Sequence, residues 1–510
     1  GSEMCIRDSG LAAARDRLGG DENVVAVLGD AALTNGVTFE AFNNIASTTK
    51  KMIVVLNDNE MSIAKNVGAI AQYLNEVITN PACNRLYSDM NSFLKKLPFG
   101  ETVIKMTENT ARDAKGWFVP SPFFEYFGLM YLGPIDGHDI PLLERYLNYC
   151  KRATRPILLH VITKKGKGLD AAVRNPEKFH GASPYNIVTG ESLNTDKSVP
   201  NYQDAMGQAL LKFAKDDKKI VGITAAMASG TGLSFIKNEL PQQFFDVGIA
   251  EEHAAVFAAG MACKEFTPVV AIYSTFMQRA YDCAMHDVCL QKLPVTFCLD
   301  RAGLSPNDGA THHGLFDISY LRPLPNAVVM QPKDEDELTD MLWTSIKSKL
   351  PSFIRYPRGR GVGVKIKNEP AILEIGRAEV LRESDGDVCI WALGNMVAEA
   401  TAAAKAIEAE CGVKVGVVNA RYVKPLDTEL LLKHAAENKT IITIEDHVVA
   451  GGFGSAVAEC LYANGAKCKL DIIGWPDKFI PHGTDVKTIR SQFNLNTEQI
   501  TARVKAHLSK

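Results

Sequence analysis

VVAVLGD (residues 24–30) and MIVVLND (52–58) decide the fold. Both are short runs rich in Val and other apolar residues, without polar alternation, and each stops on an Asp. A strand that is apolar on both sides is covered on both sides, as in a parallel sheet flanked by helices. The pattern recurs outward from this pair. LMYLGPIDG (129–137) and ILLHVITKKG (157–166) complete a first group, and the polar stretch GESLNTDKSVPNYQD (190–204) reads as a linker. A second group follows in KKIVGIT (218–224), QFFDVGIA (243–250), TPVVAIYS (267–274), PVTFCLD (294–300), NAVVMQP (326–332) and SFIRYPRG (352–359). A third holds DVCIWALG (387–394), VKVGVVNA (413–420), TIITIED (440–446) and LDIIGWP (470–476). With helical patterns between the runs, the chain reads as three successive α/β domains with mostly parallel sheets, over 10–193, 194–370 and 371–510.

Two stretches break the pattern. GSEMCIRDS, residues 1–9, has neither a signal-peptide core nor a Met in first place, and is set aside as a non-native scar. Between residues 80 and 128 lies an amphipathic insert punctuated by Pro and Phe, equally readable as a lid or a surface excursion.

The chain has 510 residues, 46% apolar and 23% charged, with 56 Lys and Arg against 59 Asp and Glu. A net charge of -3 leaves no basic excess to attract nucleic acid or an anionic membrane. Mean hydropathy is -0.05, and no apolar run approaches the ~18 residues a spanning helix needs. The 11 cysteines form no CxxC pair, which excludes the usual zinc spacing. Several lie in apolar runs, such as Cys298 in VTFCLD and Cys389 in DVCIWAL, and read there as small buried apolar residues in a reducing, cytoplasmic setting.

Ligands in open parallel sheets bind beyond the carboxyl ends of strands. Two such ends carry oxygen donors: Gly29-Asp30-Ala31-Ala32 and Asn57-Asp58-Asn59-Glu60-Met61. A carboxylate, an amide oxygen and a backbone carbonyl are the hard donors that Mg²⁺ takes when it also holds a diphosphate. Taken singly, the same residues are ordinary turn formers and helix caps.

GD followed by Asn59 in the frame LNDNEMSI resembles the diphosphate–Mg²⁺ motif of thiamine-diphosphate enzymes. That resemblance implies metal binding by Asp30, Asn59 and the Met61 carbonyl, with Ala31 and Ala32 at the diphosphate. Ala31 stands where the family has Gly. FFDVGIAEEHAAVFAAGMA (244–262) resembles the family's AExHA pattern, which implies that Glu251 faces the cofactor's aminopyrimidine; without the family it is a helix-start carboxylate. YSTFMQRAYD (273–282), DRAGLSPNDGATHHGLFDISYLRPLPN (300–326), TKKGKG (163–168) and GWPDKFIPHG (474–483) narrow the resemblance to the 1-deoxy-D-xylulose-5-phosphate synthase family of the transketolase superfamily.

The resemblance implies a transketolase-like fold with a shortened first domain, and thiamine-dependent condensation of pyruvate with D-glyceraldehyde 3-phosphate. It places Phe276 against the pyrimidine and Lys167 near the diphosphate. Asp308, His312 and His180 fall on substrate oxygens and proton transfers, and Tyr273, Arg279, Arg301 and Arg358 on the acceptor. Read without it, Phe276 is core, Lys167 a solvated lysine and Arg358 a strand-end ion pair; His253 and His313 are structural neighbours. The third domain, with GVVNARYVKPLD and EDHVVAGGFGSAVAE, resembles the family's dimerising carboxyl-terminal domain, which implies a homodimer. Its GGFG reads as a turn into a helix, and only an incomplete phosphate signature supports a nucleotide loop.

Family members also carry an amino-terminal segment with a GHS-type turn and further histidines ahead of the matching region. On that ground the expectation is an exposed sheet edge, reduced stability and little turnover for this chain. Two other readings remain: another enzyme of the superfamily, either a transketolase or a 2-oxoacid dehydrogenase component, and a fold that is catalytically dead.

Overall fold

The computed structural model describes residues 4–62, 66–79, 122–182, 184–193 and 198–508. The chain divides into two compact units, Gly1–Thr195 with Gly248–Ala250, and Asp196–Val247 with Glu251–Lys510.

The first unit is built on β1 (Val25–Gly29), β2 (Ile53–Asp58), β3 (Met130–Asp136) and β4 (Ile157–Ile162), in the order β1-β2-β4-β3, all parallel. Register sets Gly29 opposite Asn57, so the residues following both strands emerge at one level. Helices cover the sheet. Gly36–Thr48 starts on an Asn35 side chain that accepts the Val37 amide at 2.9 Å, and Ile140–Arg152 on an Asp139 side chain that accepts the Leu142 amide at 3.0 Å. At the sheet's edge, β1 leaves Val25 and Val27 exposed. The core of this unit includes Phe42, Phe124 and Tyr131, with the Phe124 and Tyr131 rings stacked at 5.7 Å.

Residues 4–9, set aside in the sequence reading, begin the first helix, Met4–Leu18. Cys5, Asp8, Ala12 and Arg15 are all buried, and their three- and four-residue spacing makes one helical stripe. Arg15 is satisfied there by the Glu22 carbonyl at 3.0 Å and the Lys51 carbonyl at 2.5 Å. Most of the 80–128 insert lies outside the described residues; its end forms the helix Pro122–Tyr126.

The second unit holds two sheets. One contains β5 (Ile220–Thr224), β6 (Phe244–Asp246), β7 (Thr267–Tyr273), β8 (Thr296–Asp300), β9 (Val328–Met330) and β10 (Ser352–Arg355). The other contains β11 (Glu379–Arg382), β12 (Val388–Ala392) and β13 (Gly416–Asn419), together with β15 (Thr440–Val448) and β16 (Lys469–Trp475). Between them in sequence, β14 (Tyr422–Lys424) leaves the third domain's segment and pairs antiparallel with β9. The orders are β14-β9-β10-β8-β7-β5-β6 and β11-β13-β12-β15-β16. Three sheets therefore match the three α/β domains expected, with the second and third joined by a shared strand.

EDH…GGFG is a strand end turning into the helix Phe453–Ala463. Glu445, fully buried, accepts the amides of Phe453 at 2.6 Å and Gly454 at 2.8 Å, so the chain's own carboxyl occupies the helix start. Burial pushes its pKa up to about 8.

Helix Tyr202–Asp216 lies against the 232 turn so closely that a methyl on Gly207 would overlap the Gly232 carbonyl oxygen and come 2.9 Å from the Phe235 ring. In an exposed helix Gly→Ala stabilises by about 1 kcal/mol. Here Gly207→Ala is expected to destabilise by ~1–3 kcal/mol through overpacking, measured by urea unfolding; a stabilised variant would contradict this packing.

Candidate active site

In the first unit Asp30 opens a turn, Asp30–Thr34, directly after β1. Its side chain is buried; Oδ2 accepts from Asn66 Nδ2 at 2.7 Å, while Oδ1 has no hydrogen-bond partner. Burial, and then the neighbouring Asp58 carboxyl, push its pKa well up. A buried carboxylate oxygen without a donor, beside a second acid, has the chemistry to take a hard cation. Half-buried Asn59 follows β2, and its Oδ1 accepts the Met61 amide at 3.0 Å, which folds Asn59 and Met61 into one tight turn. Among the described residues no three His, Cys, Asp or Glu side chains form a metal cluster. The donor set fits a hard cation held by Asp30, Asn59 and a carbonyl and completed by ligand oxygens. Ala31 adopts no left-handed backbone, so the turn does not require the family's Gly.

The sequence reading passed over Asp58. It is buried at the end of β2, and its Oδ2 lies 2.9 Å from His160 Nε2; His160 Nδ1 lies 2.7 Å from the Tyr131 hydroxyl. Burial opposes the Asp58 charge, but the hydrogen bond and charge of His160 outweigh it and hold the carboxyl below its usual range. A histidine amid the apolar run ILLHVI was the signal. Lys167 is exposed, whereas Lys165 is half-buried and its ammonium reaches the Ser62 carbonyl. Burial lowers the Lys165 pKa against the pull of Asp30 and Glu177, which places Lys165 in the field of Asp30. His180 is exposed; crowding around its ring and then the Lys165 charge draw its pKa down.

In the second unit the candidate residues gather at the carboxyl ends of β6, β7, β8 and β10, as a parallel sheet requires. Glu251 begins the helix Glu251–Ala262, is 2% exposed, and accepts from Arg279 Nη1 at 2.6 Å. Burial raises its pKa against the opposing Arg279 charge. Arg279, expected at the acceptor, is thus paired with Glu251. Phe276 stacks on Tyr273 at 5.5 Å and meets the His312 ring edge-on at 5.3 Å. Arg301 lies 3.6 Å from the centre of the Tyr273 ring, a cation–π contact. Asp308 Oδ2 accepts from Ser305 Oγ at 2.8 Å and forms ion pairs with Arg358 Nη1 at 2.6 Å and Arg301 Nε at 3.4 Å. Burial opposes the Asp308 charge, but Ser305 and the two arginines hold its pKa low. Burial lowers the His312 pKa against the pull of Asp308, and its Nδ1 lies 2.8 Å from Thr311 Oγ1. His313 is structural, receiving the Ser305 amide on Nδ1 at 3.0 Å. Fully buried Asp300, also missed from sequence, lies under Arg301 at 3.2 Å.

The chain and its sheets have counterparts among known proteins. Residues 3–163 match the family model described as 1-deoxy-D-xylulose-5-phosphate synthase, 198–361 the transketolase pyrimidine binding domain, and 376–500 the transketolase C-terminal domain. A transketolase from Campylobacter jejuni shares the fold, with TM-score 0.51 at 19% identity, covering 99% of this chain and 81% of that one. The class is a thiamine-dependent transferase of the transketolase type. A 1-deoxy-D-xylulose-5-phosphate synthase of Methylacidiphilum infernorum is 51% identical over 489 residues, 96% of this chain and 77% of the relative. One of Acidobacterium capsulatum is 49% identical over 501 residues, 98% and 79%. The chain belongs to the 1-deoxy-D-xylulose-5-phosphate synthase family.

Burial raises the Asp300 pKa to about 7. The folded state therefore binds a proton more tightly than the unfolded chain between about pH 4 and pH 7, and stability falls across that window by up to about 1.4 kcal/mol per pH unit. Asp300→Asn is expected to gain on the wild type steadily as pH rises through it. Paired denaturation curves check this, and parallel profiles would disprove it.

Proposed function

We propose that this chain condenses pyruvate with D-glyceraldehyde 3-phosphate, releasing CO₂ and forming 1-deoxy-D-xylulose 5-phosphate for isoprenoid, thiamine and pyridoxal synthesis, as a cytoplasmic homodimer. Family membership supports the reaction, and the observation that carries the site reading is Glu251, a buried helix-start acid with a raised pKa. Thiamine diphosphate, when bound, supplies the nucleophilic carbon and the electron sink that decarboxylation needs.

The chain's residues do the rest. Asp30 Oδ1, Asn59 and the Met61 carbonyl would hold Mg²⁺, with Ala31 and Ala32 at the diphosphate. Glu251 would hold a proton toward the aminopyrimidine, its carboxyl oriented by the Arg279 ion pair. Phe276 offers its face to that ring. His312, with its Nδ1 engaged, presents Nε2 to a substrate oxygen, and His180 serves a second. Asp308 pairs with Arg301 and Arg358 and so holds both guanidinium groups in place as donors for the acceptor's phosphate.

Homodimerisation is supported by the helix Glu251–Ala262 and the residue that follows it, which expose His253, Val256, Gly260 and Cys263 at three- and four-residue spacing. Leu290 is also exposed, at 70%. A second copy would cover this small, apolar stripe.

Carboxyl-labelled pyruvate should release labelled CO₂ only with D-glyceraldehyde 3-phosphate, thiamine diphosphate and Mg²⁺ present. Glu251→Gln should lower that rate by about 10²–10⁴-fold, and Asp30→Ala should abolish the thermal shift that cofactor and Mg²⁺ give together. Turnover of sugar-phosphate donors without CO₂ would favour a transketolase, and a thermal shift without turnover a binding fold only. Sedimentation should show a dimer that Val256→Glu converts to monomer; a wild-type monomer would defeat the homodimer.

A further inference from the structure

We propose that Asp446, at the carboxyl side of the third sheet, is a positioning residue for the 303–314 loop that carries Asp308 and His312. The inference rests on the roles proposed above for those two residues. It gives the third domain work at the active site besides assembly.

The loop is pinched at its base by two reciprocal bonds, Gly303 N to Gly314 O at 2.7 Å and Gly314 N to Gly303 O at 2.9 Å. Asp446 lies against that pinch. A methyl on Gly303, whose φ is +81°, would come 2.5 Å from Asp446 Oδ2, so backbone and carboxylate are in direct packing contact. The carboxylate cannot turn away. Oδ1 accepts from Trp475 Nε1 at 2.7 Å, and Oδ2 accepts from Asn395 Nδ2 at 2.8 Å and Arg490 Nη2 at 2.9 Å. The charge is buried and fully compensated, which makes its location specific.

Arg355 ties the same place from the second sheet. Its Nη2 donates to the Gly314 carbonyl at 3.1 Å and the Asp446 carbonyl at 3.3 Å, while Nε pairs with Asp317 at 3.0 Å. The third domain also reaches the loop's far side. Gly483 N donates to the Pro306 carbonyl at 3.4 Å, and His313 Nε2 lies 3.4 Å from the Pro481 carbonyl. The path of the loop, and hence where Asp308 holds Arg301 and Arg358, is set from the third domain.

Asp446→Asn keeps size and the Trp475 acceptor but loses the ion pair with Arg490. Asn395→Ala, at a half-buried position, removes one donor and is the milder change. In each folded variant, amide hydrogen exchange in 303–314 should accelerate at least tenfold while β12 and β15 stay protected. KM for D-glyceraldehyde 3-phosphate should rise at least tenfold, with the Mg²⁺ and thiamine diphosphate thermal shift retained. Unchanged loop exchange, equal acceleration in β12 and β15, or an unchanged acceptor KM would each overturn the proposal. A wild-type chain without turnover would instead defeat the proposed reaction, leaving loop exchange as the measure of positioning.

Discussion

Parallel strands all finish on the same edge of their sheet, and everything chemical in this molecule follows from that constraint. A strand buried on both faces admits a charged side chain only with a partner, as for His160, Arg355 and Asp446, so most charged groups collect at its end or in the first residues beyond it. Asp30 and Asn59 do so after β1 and β2; Glu251, Tyr273, Arg301 and Arg358 do so around the second sheet. Distant positions in the sequence are brought together because register places their strand ends at one level, without any long structured loop having to hold them.

Burial then sorts these groups by what accompanies them. Asp308 sits among a hydroxyl and two guanidinium groups and stays ionised. Burial outweighs the Arg279 charge at Glu251 and the Arg301 and Arg358 charges at Asp300, so the proton affinity of both acids is raised. Asp30 is drawn the same way, with one oxygen unpartnered. Acids with such different proton affinities within one protein suit the separate roles proposed for Glu251, Asp308 and Asp30.

Much of this was legible in the chain because apolar runs with abrupt polar ends are a local signal. The strands around 24–30, 52–58 and 294–300 needed only a window of a few residues, whereas the candidate groups in LNDNEMSI and NDGATH came from the resemblance of those motifs to a known family. What stayed hidden depends on partners far away in sequence. Nothing local shows that Arg279 pairs with Glu251, that Lys165 lies in the field of Asp30, or that Asp58 has His160 behind it. The stripe through Cys5 and Asp8 was missed for another reason: a polar, irregular beginning masked a helix whose buried side holds an acid and an arginine.

β14 carries a separate implication for how the polypeptide becomes a protein during synthesis. The strand that borders β9 is translated only after β11, β12 and β13, so the middle sheet leaves the ribosome with one margin bare and must wait for later sequence to close it. The two carboxyl-terminal sheets therefore mature as one cooperative folding unit, and a cut between them at about residue 370 would separate pieces that each lack something the other holds.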